Sequence, residues 1–89
     1  MDLGISGRTA LVTGASTGLG LACAQALAAE GVRVALASRS AEKLAAAAAT
    51  IDGDPVTLTV DLADPASVDA LVGDALAALG HVDILIANG

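Results

Sequence analysis

Four short apolar runs alternate with three longer stretches rich in alanine and leucine. The short runs are residues 9–13 (TALVT), 32–37 (VRVALA), 56–60 (VTLTV) and 82–87 (VDILIA). Their length, their branched residues and their scarcity of charge fit strands buried on both faces. The longer stretches carry helix punctuation. Residues 18–30 are apolar apart from Gln25 and Glu30 and stop at Gly31, a residue that closes helices. Ser40 is a good N-cap for a second helix, which the spacing carries through the alanine tract to about Ile51. Asp64 followed by Pro65 is a strong start for a third helix, and Gly80 stops it.

The pattern is thus β-α-β-α-β-α-β. Strands alternating with helices across short loops pair in parallel and put helices on both sheet faces, an α/β doubly wound architecture. "DGDP" at 52–55 is turn chemistry.

Composition narrows the picture. The 89 residues are 55% hydrophobic and contain no aromatic residue, so the core is built from Val, Leu, Ile and Ala. Ten acids against four bases give a net charge of −6. That balance argues against a nucleic-acid surface, which needs a basic patch. Cys23 is the only cysteine. It excludes an internal disulfide, suits a reducing cytoplasm, and reads as a small core residue. The first nine residues lack the pattern of a signal peptide, and no apolar run is long enough to span a membrane.

The chemistry concentrates in "TGASTGLG", residues 13–20. A doubly wound sheet binds ligand at the carboxyl ends of its strands, where the strand order reverses. Gly14, Gly18 and Gly20 fall in the turn after the first strand. Glycines there let the chain turn tightly, let a phosphate approach the backbone and let the helix pack close. The helix that follows aims free N–H groups and a positive dipole end at a pyrophosphate. Ser16 and Thr17 add hydroxyls to the same loop. Three glycines also suit a plain strand-to-helix turn, but their place after a strand, opening a helix within a βαβ unit, is the context of a dinucleotide site.

The spacing is Thr-Gly-x3-Gly-x-Gly, not Gly-x-Gly-x-x-Gly. It resembles the signature of the short-chain dehydrogenase/reductase family. Asp61 and Leu62, at the end of the third strand, resemble the family's adenine-contacting Asp and its neighbour. "DILIANG" at 83–89 resembles Asp-x-Leu-Val-Asn-Asn-Ala-Gly, with Asn88 matching the second Asn and Ala87 replacing the first. The resemblance spans essentially the whole chain. It implies a Rossmann-type sheet of strand order 3-2-1-4, with residues 1–89 as the N-terminal, cofactor-binding part of a single domain. It also implies hydride transfer between a nicotinamide cofactor and a small carbonyl or alcohol substrate in a homo-oligomeric enzyme. Cofactor contacts then fall to Gly14, Ser16, Thr17, Gly18, Leu19, Gly20, Ser38, Arg39, Asp61, Leu62 and Asn88.

The second strand ends "ALASRS", with Ser38 and Arg39 at its tip and no acid. An acid there would hold the ribose 2′-hydroxyl of NAD; a hydroxyl beside a planar, permanently charged fork suits a 2′-phosphate. NADP is therefore expected ahead of NAD.

The family's catalytic Ser, Tyr and Lys follow the segment matched here. This chain has no Tyr, and its sole lysine, Lys43, opens the second helix. No catalytic residue is assigned, and no metal site. His81 reads as a surface residue or a partner for a helix C-terminus. Two other readings stand beside the enzyme: a non-catalytic nucleotide-binding or redox-sensing module, and a methyltransferase-like nucleotide fold. Arg39 and the missing acid count against the latter. The fourth strand, apolar on both faces, is expected to leave an open edge and bare apolar surface, with Asp83 as its one guard.

Overall fold

The computed structural model describes residues 7–51 and 53–87. Four strands form one parallel sheet of order β3-β2-β1-β4, with β1 Thr9–Thr13, β2 Arg33–Ser38, β3 Val56–Thr59 and β4 Ile84–Ile86. Three helices alternate with them: α1 Gly18–Ala29, α2 Ala41–Ala48 and α3 Pro65–Leu79. This is the Rossmann-like arrangement the alternation predicts.

The central pair carries the core. Every residue of β1 is buried, and so are the four positions Val34–Ala37 of β2. On one face Ala10, Val12, Val34 and Leu36 meet Ala24 of α1 and Leu44, Ala47 and Ile51 of α2 and its exit. On the other, Leu11, Ala35 and Ala37 meet Leu71, Ala75 and Leu79 of α3. With no aromatic side chain to fill space, small residues bring the layers close. Ala24, Ala35, Ala37 and Ala75 are all fully buried.

The outer strands depart from the expectation of burial on both faces. β3 alternates half-buried Val56 and Leu58 with exposed Thr57 and Thr59. Among the described residues it pairs only with β2, and threonine suits a solvated edge. β4 holds three residues, against the six of 82–87, because only Ile84, Leu85 and Ile86 pair with Ala10, Leu11 and Val12.

The caps follow the sequence closely. Ser40 accepts from the Lys43 N–H at 3.2 Å, and Asp64 accepts from the Ala66 N–H at 3.1 Å, with Pro65 in the first turn. Gly31 and Gly80 both have φ of +83° where their helices end, which only glycine adopts without strain. α2 stops at Ala48, short of Ile51. The Thr50 and Ile51 N–H groups donate three residues back, to the Ala47 and Ala48 carbonyls, and the Thr50 hydroxyl also donates to the Ala47 carbonyl. Cys23 is half-buried and belongs to neither core cluster. The inward stripe of α1 runs through Gly20 and Ala24, and position 23 is turned off it.

Candidate functional site

The carboxyl ends of β1, β2 and β3 lie at one end of the sheet, and most of the expected residues collect there. A cleft of about 260 Å³ is lined by Gly14, Ser38, Arg39, Val60, Asp61, Leu62 and Ala63. Arg39 and Asp61 also line a neighbouring open hollow with Thr59, Val60 and Ser67. Among the described residues Arg39 forms no ion pair, and it is exposed. Its charge is therefore available to a ligand at the tip of β2.

The glycine loop folds back on β2. The Ala15 N–H donates to the Ala37 carbonyl at 3.2 Å, and the Ser16 and Ser38 hydroxyls are hydrogen-bonded at 3.1 Å. The Ser38 Oγ also accepts from the Ser40 N–H at 3.4 Å. Ser38 thus joins the loop to the start of α2 and holds Arg39 between two anchored neighbours. Gly14 and Gly18 both have φ of +61°, a left-handed conformation that side chains resist. An added Cβ at Gly18 would meet nothing within 4 Å, so the backbone is bare toward open space. Thr17 caps α1 with no side-chain hydrogen bond. The first N–H groups of a helix lack partners within it, so this end of α1 has donors free for an anion. Leu19 is 71% exposed at the same end, whereas Gly20 is buried against the sheet.

Asp61 organises the third loop. Its Oδ1 accepts from the Ala63 N–H at 3.0 Å, and its own N–H donates to the Ser67 hydroxyl at 2.9 Å. This turn brings Leu62 and Ala63 to the cleft. Leu62 is about half exposed and also lines a second, apolar groove. Val60 and Ala63 were not singled out from the sequence. Val60 was visible as the residue at the strand's carboxyl end; Ala63 enters only through the turn. Asn88 lies outside the described residues. Gly14, Ser38, Arg39, Asp61 and Leu62 share one cleft, and Ser16 is tied to it through Ser38.

At the opposite end of the sheet, Asp83 is exposed at the start of β4 and bonds back to β1. Its Oδ2 accepts from the Thr9 N–H at 3.0 Å and contacts the Thr9 hydroxyl at 3.4 Å. The Asp83 N–H donates to the Thr9 carbonyl at 3.1 Å. The His81 Nε2 lies 2.9 Å from the same carboxylate oxygen. The hydrogen bond from the Thr9 backbone holds the Asp83 carboxyl below its usual value, against burial that raises it; the charges of His81 and Arg8 act in the same direction as the hydrogen bond. His81 is a surface residue, as expected, with this carboxylate as its partner.

Between α3 and β4 runs an apolar groove of about 420 Å³, lined by residues that include Leu11, Leu62, Val72, Leu76 and Leu85. No helix among the described residues is long and apolar enough to cross a membrane, and no group of His, Cys, Asp or Glu among them could hold a metal ion.

The fold, the glycine loop and the cleft invite comparison with known proteins. The family model for short chain dehydrogenases matches residues 8–89. The chain belongs to that family. It is 39% identical to L-sorbose reductase from Gluconobacter frateurii, solved with NADPH and L-sorbose, with a TM-score of 0.93, covering 100% of this chain and 35% of that one. It is 40% identical over 84 residues to a sorbitol dehydrogenase from Cereibacter sphaeroides, covering 94% of this chain and 33% of the relative. It is 46% identical over 83 residues to 2-dehydro-3-deoxy-L-rhamnonate dehydrogenase (NAD(+)) from a Sphingomonas strain, covering 93% of this chain and 33% of the relative. The chain therefore spans about a third of the length of these short-chain dehydrogenases.

Proposed function

We propose that this chain is the N-terminal, adenosine- and pyrophosphate-binding part of a single cofactor-binding domain. The protein it serves is an NADP(H)-dependent oxidoreductase acting on a small carbonyl or alcohol substrate. The observation that carries the cofactor choice is Ser38–Arg39 on the cleft with Gly14, at a tip of β2 whose own residues include no acid.

The residues present fit such a cofactor. The cleft has room for a nucleoside, Gly18 keeps the loop clear, and the start of α1 offers unpaired N–H groups to a pyrophosphate. When bound, the nicotinamide supplies the hydride. The chain's own residues hold and orient. Gly14, Ser16, Thr17, Gly18, Leu19 and Gly20 cradle the pyrophosphate; Asp61 and Leu62 border the adenine; Asn88 takes the place of the second Asn in the family motif. Arg39 and Ser38 receive the 2′-phosphate, Arg39 as a charged fork. The relatives support a nicotinamide cofactor and divide on which: one was solved with NADPH and another is named for NAD(+). The acid-free tip of β2 is what favours NADP here. A homo-oligomer in the cytoplasm completes the reading.

Calorimetric titration of the full-length protein with NADPH and NADH tests it. NADPH binding at least about tenfold tighter is the expected result; a preference for NADH overturns the cofactor choice. Hydride transfer to ketoses, aldehydes and simple ketones, followed by nicotinamide absorbance, tests the reaction. Tight binding without transfer to any of them favours a nucleotide-binding module.

A further inference from the structure

We propose that Ser67 is a positioning residue for purine recognition: its hydroxyl holds the Asp61 backbone so that the Asp61 carboxylate meets the cleft in one orientation. The hydrogen bond itself is read from the structure; its consequence for binding rests on the oxidoreductase reading above, in which Asp61 borders the adenine.

Ser67 is the third residue of α3, with Asp64 as N-cap and Pro65 first. In a capping box, the side chain at this position turns back to the N-cap N–H while the N-cap side chain serves the first turn. Asp64 does its half: its Oδ1 accepts from the Ala66 N–H at 3.1 Å. Ser67 does not do the other half, because the Asp64 N–H is already taken by the Asp61 carbonyl at 3.0 Å. The Ser67 hydroxyl instead reaches three residues further back and accepts from the Asp61 N–H at 2.9 Å. It fastens the loop ahead of the helix rather than the helix end.

That loop begins where β3 gives out. Val60 is still tied to the second strand, its N–H donating to the Ser38 carbonyl at 2.9 Å. The Asp61 N–H comes next, and β3 has no strand on its other side among the described residues. Ser67 supplies the partner that a further strand would. Asp61 is then held at three points: its N–H by Ser67, its carbonyl by the Asp64 N–H, and its Oδ1 by the Ala63 N–H at 3.0 Å. Left over are the second carboxylate oxygen and the Leu62 N–H, an acceptor and a donor on adjacent residues, neither with a partner among the described residues. Asp61 and Leu62 line the cleft, whereas Ser67 lines only the neighbouring hollow. Ser67 therefore acts on a ligand in the cleft through Asp61. The free carboxylate oxygen accepts from an amine on a purine and has no proton for an oxo group in the same place. Without Ser67 the Asp61 peptide is freer to turn, and a hydrogen bond weakens steeply as its angle closes.

Titration of the full-length protein with NADPH and with its deamino analogue, in which hypoxanthine replaces adenine, tests this. The parent is expected to bind NADPH about tenfold more tightly, the worth of one bond to a charged group. Ser67→Ala is expected to cut that preference to about threefold or less, with the loss falling on NADPH. Ser67→Thr keeps the hydroxyl and is expected to keep the preference. A merely structural role would weaken both ligands by the same factor. A preference left intact in Ser67→Ala therefore overturns the proposal, and so does its loss in Ser67→Thr. If Ser67→Ala does not fold, Ser67→Val, which matches threonine in shape without the hydroxyl, takes its place. If the parent binds the two ligands alike, or neither, the reading of the cleft fails by itself, and amide exchange decides whether Ser67 holds the loop. Faster exchange at Asp61 in Ser67→Ala than in the parent and in Ser67→Thr supports the hold; equal exchange overturns it.

Discussion

One face of the sheet carries two helices and the other carries one. Under α1 and α2, Leu36 and Leu44 are sealed, with Val12 and Val34 beside them. On the α3 side the cluster is smaller, and the groove next to β4 leaves Leu85 63% exposed and Val72 and Leu76 nearly half exposed. The composition of the strands does not explain the difference, since aliphatic residues reach both faces. The cover does. α3 lies over Leu11, Ala35 and Ala37 and stops short of Leu85. The stable half of the molecule and its open half are set by where helices lie, and the cleft proposed for the cofactor sits at the carboxyl end of the sheet.

The comparison breaks most visibly in the core. Leu36→Ala is expected to cost about 3 kcal/mol, because a fully buried leucine loses its transfer energy and leaves a cavity. Leu85→Ala is expected to cost under about 0.5 kcal/mol, as at a surface position. Denaturant melts of the two variants measure this. A cost at Leu85 close to that at Leu36 would mean that further protein lies on the groove.

Next in size is the effect at the tip of β2, the sealed side's contribution to the cleft. Arg39→Ala is expected to weaken NADPH binding by about 2 kcal/mol, the worth of a charge-assisted bond. NADH binding should barely change, since NADH lacks the 2′-phosphate. Equal losses for both cofactors, by calorimetry, would reduce Arg39 to a general surface charge.

A smaller effect belongs to the loop joining β1 to α1. Gly18→Ala puts a side chain at φ +61°, which costs about 1 kcal/mol of stability. The new Cβ meets no protein atom within 4 Å, so backbone conformation accounts for the whole stability change. Dinucleotide affinity should fall further than stability does, because the methyl enters the space proposed for the pyrophosphate. Unchanged affinity would make the loop a turn and nothing more.

What was legible in the sequence was local. Thr-Gly-x3-Gly-x-Gly announces a loop because its backbone angles admit little else, and Ser40, Asp64 and Pro65 mark helix starts because the capping chemistry lies within three residues. What was not legible depends on partners far apart in the chain. The Ser16–Ser38 hydrogen bond joins residues 22 positions apart, and the Thr9–Asp83 bracket joins residues 74 apart. From the sequence Asp83 looks like a charge guarding an edge; only the pairing of β4 with β1 shows that its carboxylate also accepts from the Thr9 N–H. The end of α2 was hidden for a different reason. Alanine favours helix at every position of 45–49, so only the Thr50 hydroxyl, bonded to Ala47, marks where the helix gives way.

The finest distinction between the two halves is one of pH. The open half depends on a carboxylate where the sealed half depends on apolar packing. Asp83 has its pKa lowered, first by the Thr9 backbone hydrogen bond, with burial opposing and the His81 charge assisting. A depressed carboxyl contributes stability that is present above its unfolded value of 3.8 and is lost as pH falls through its lower folded value. The apolar contacts of Leu36 have no such dependence. Melting temperatures of the parent and Asp83→Asn should therefore differ most at neutral pH and converge below about pH 4, while the gap between the parent and Leu36→Ala stays nearly constant over the same range. If the difference stayed constant through pH 4, the carboxylate would be contributing shape to the bracket rather than charge.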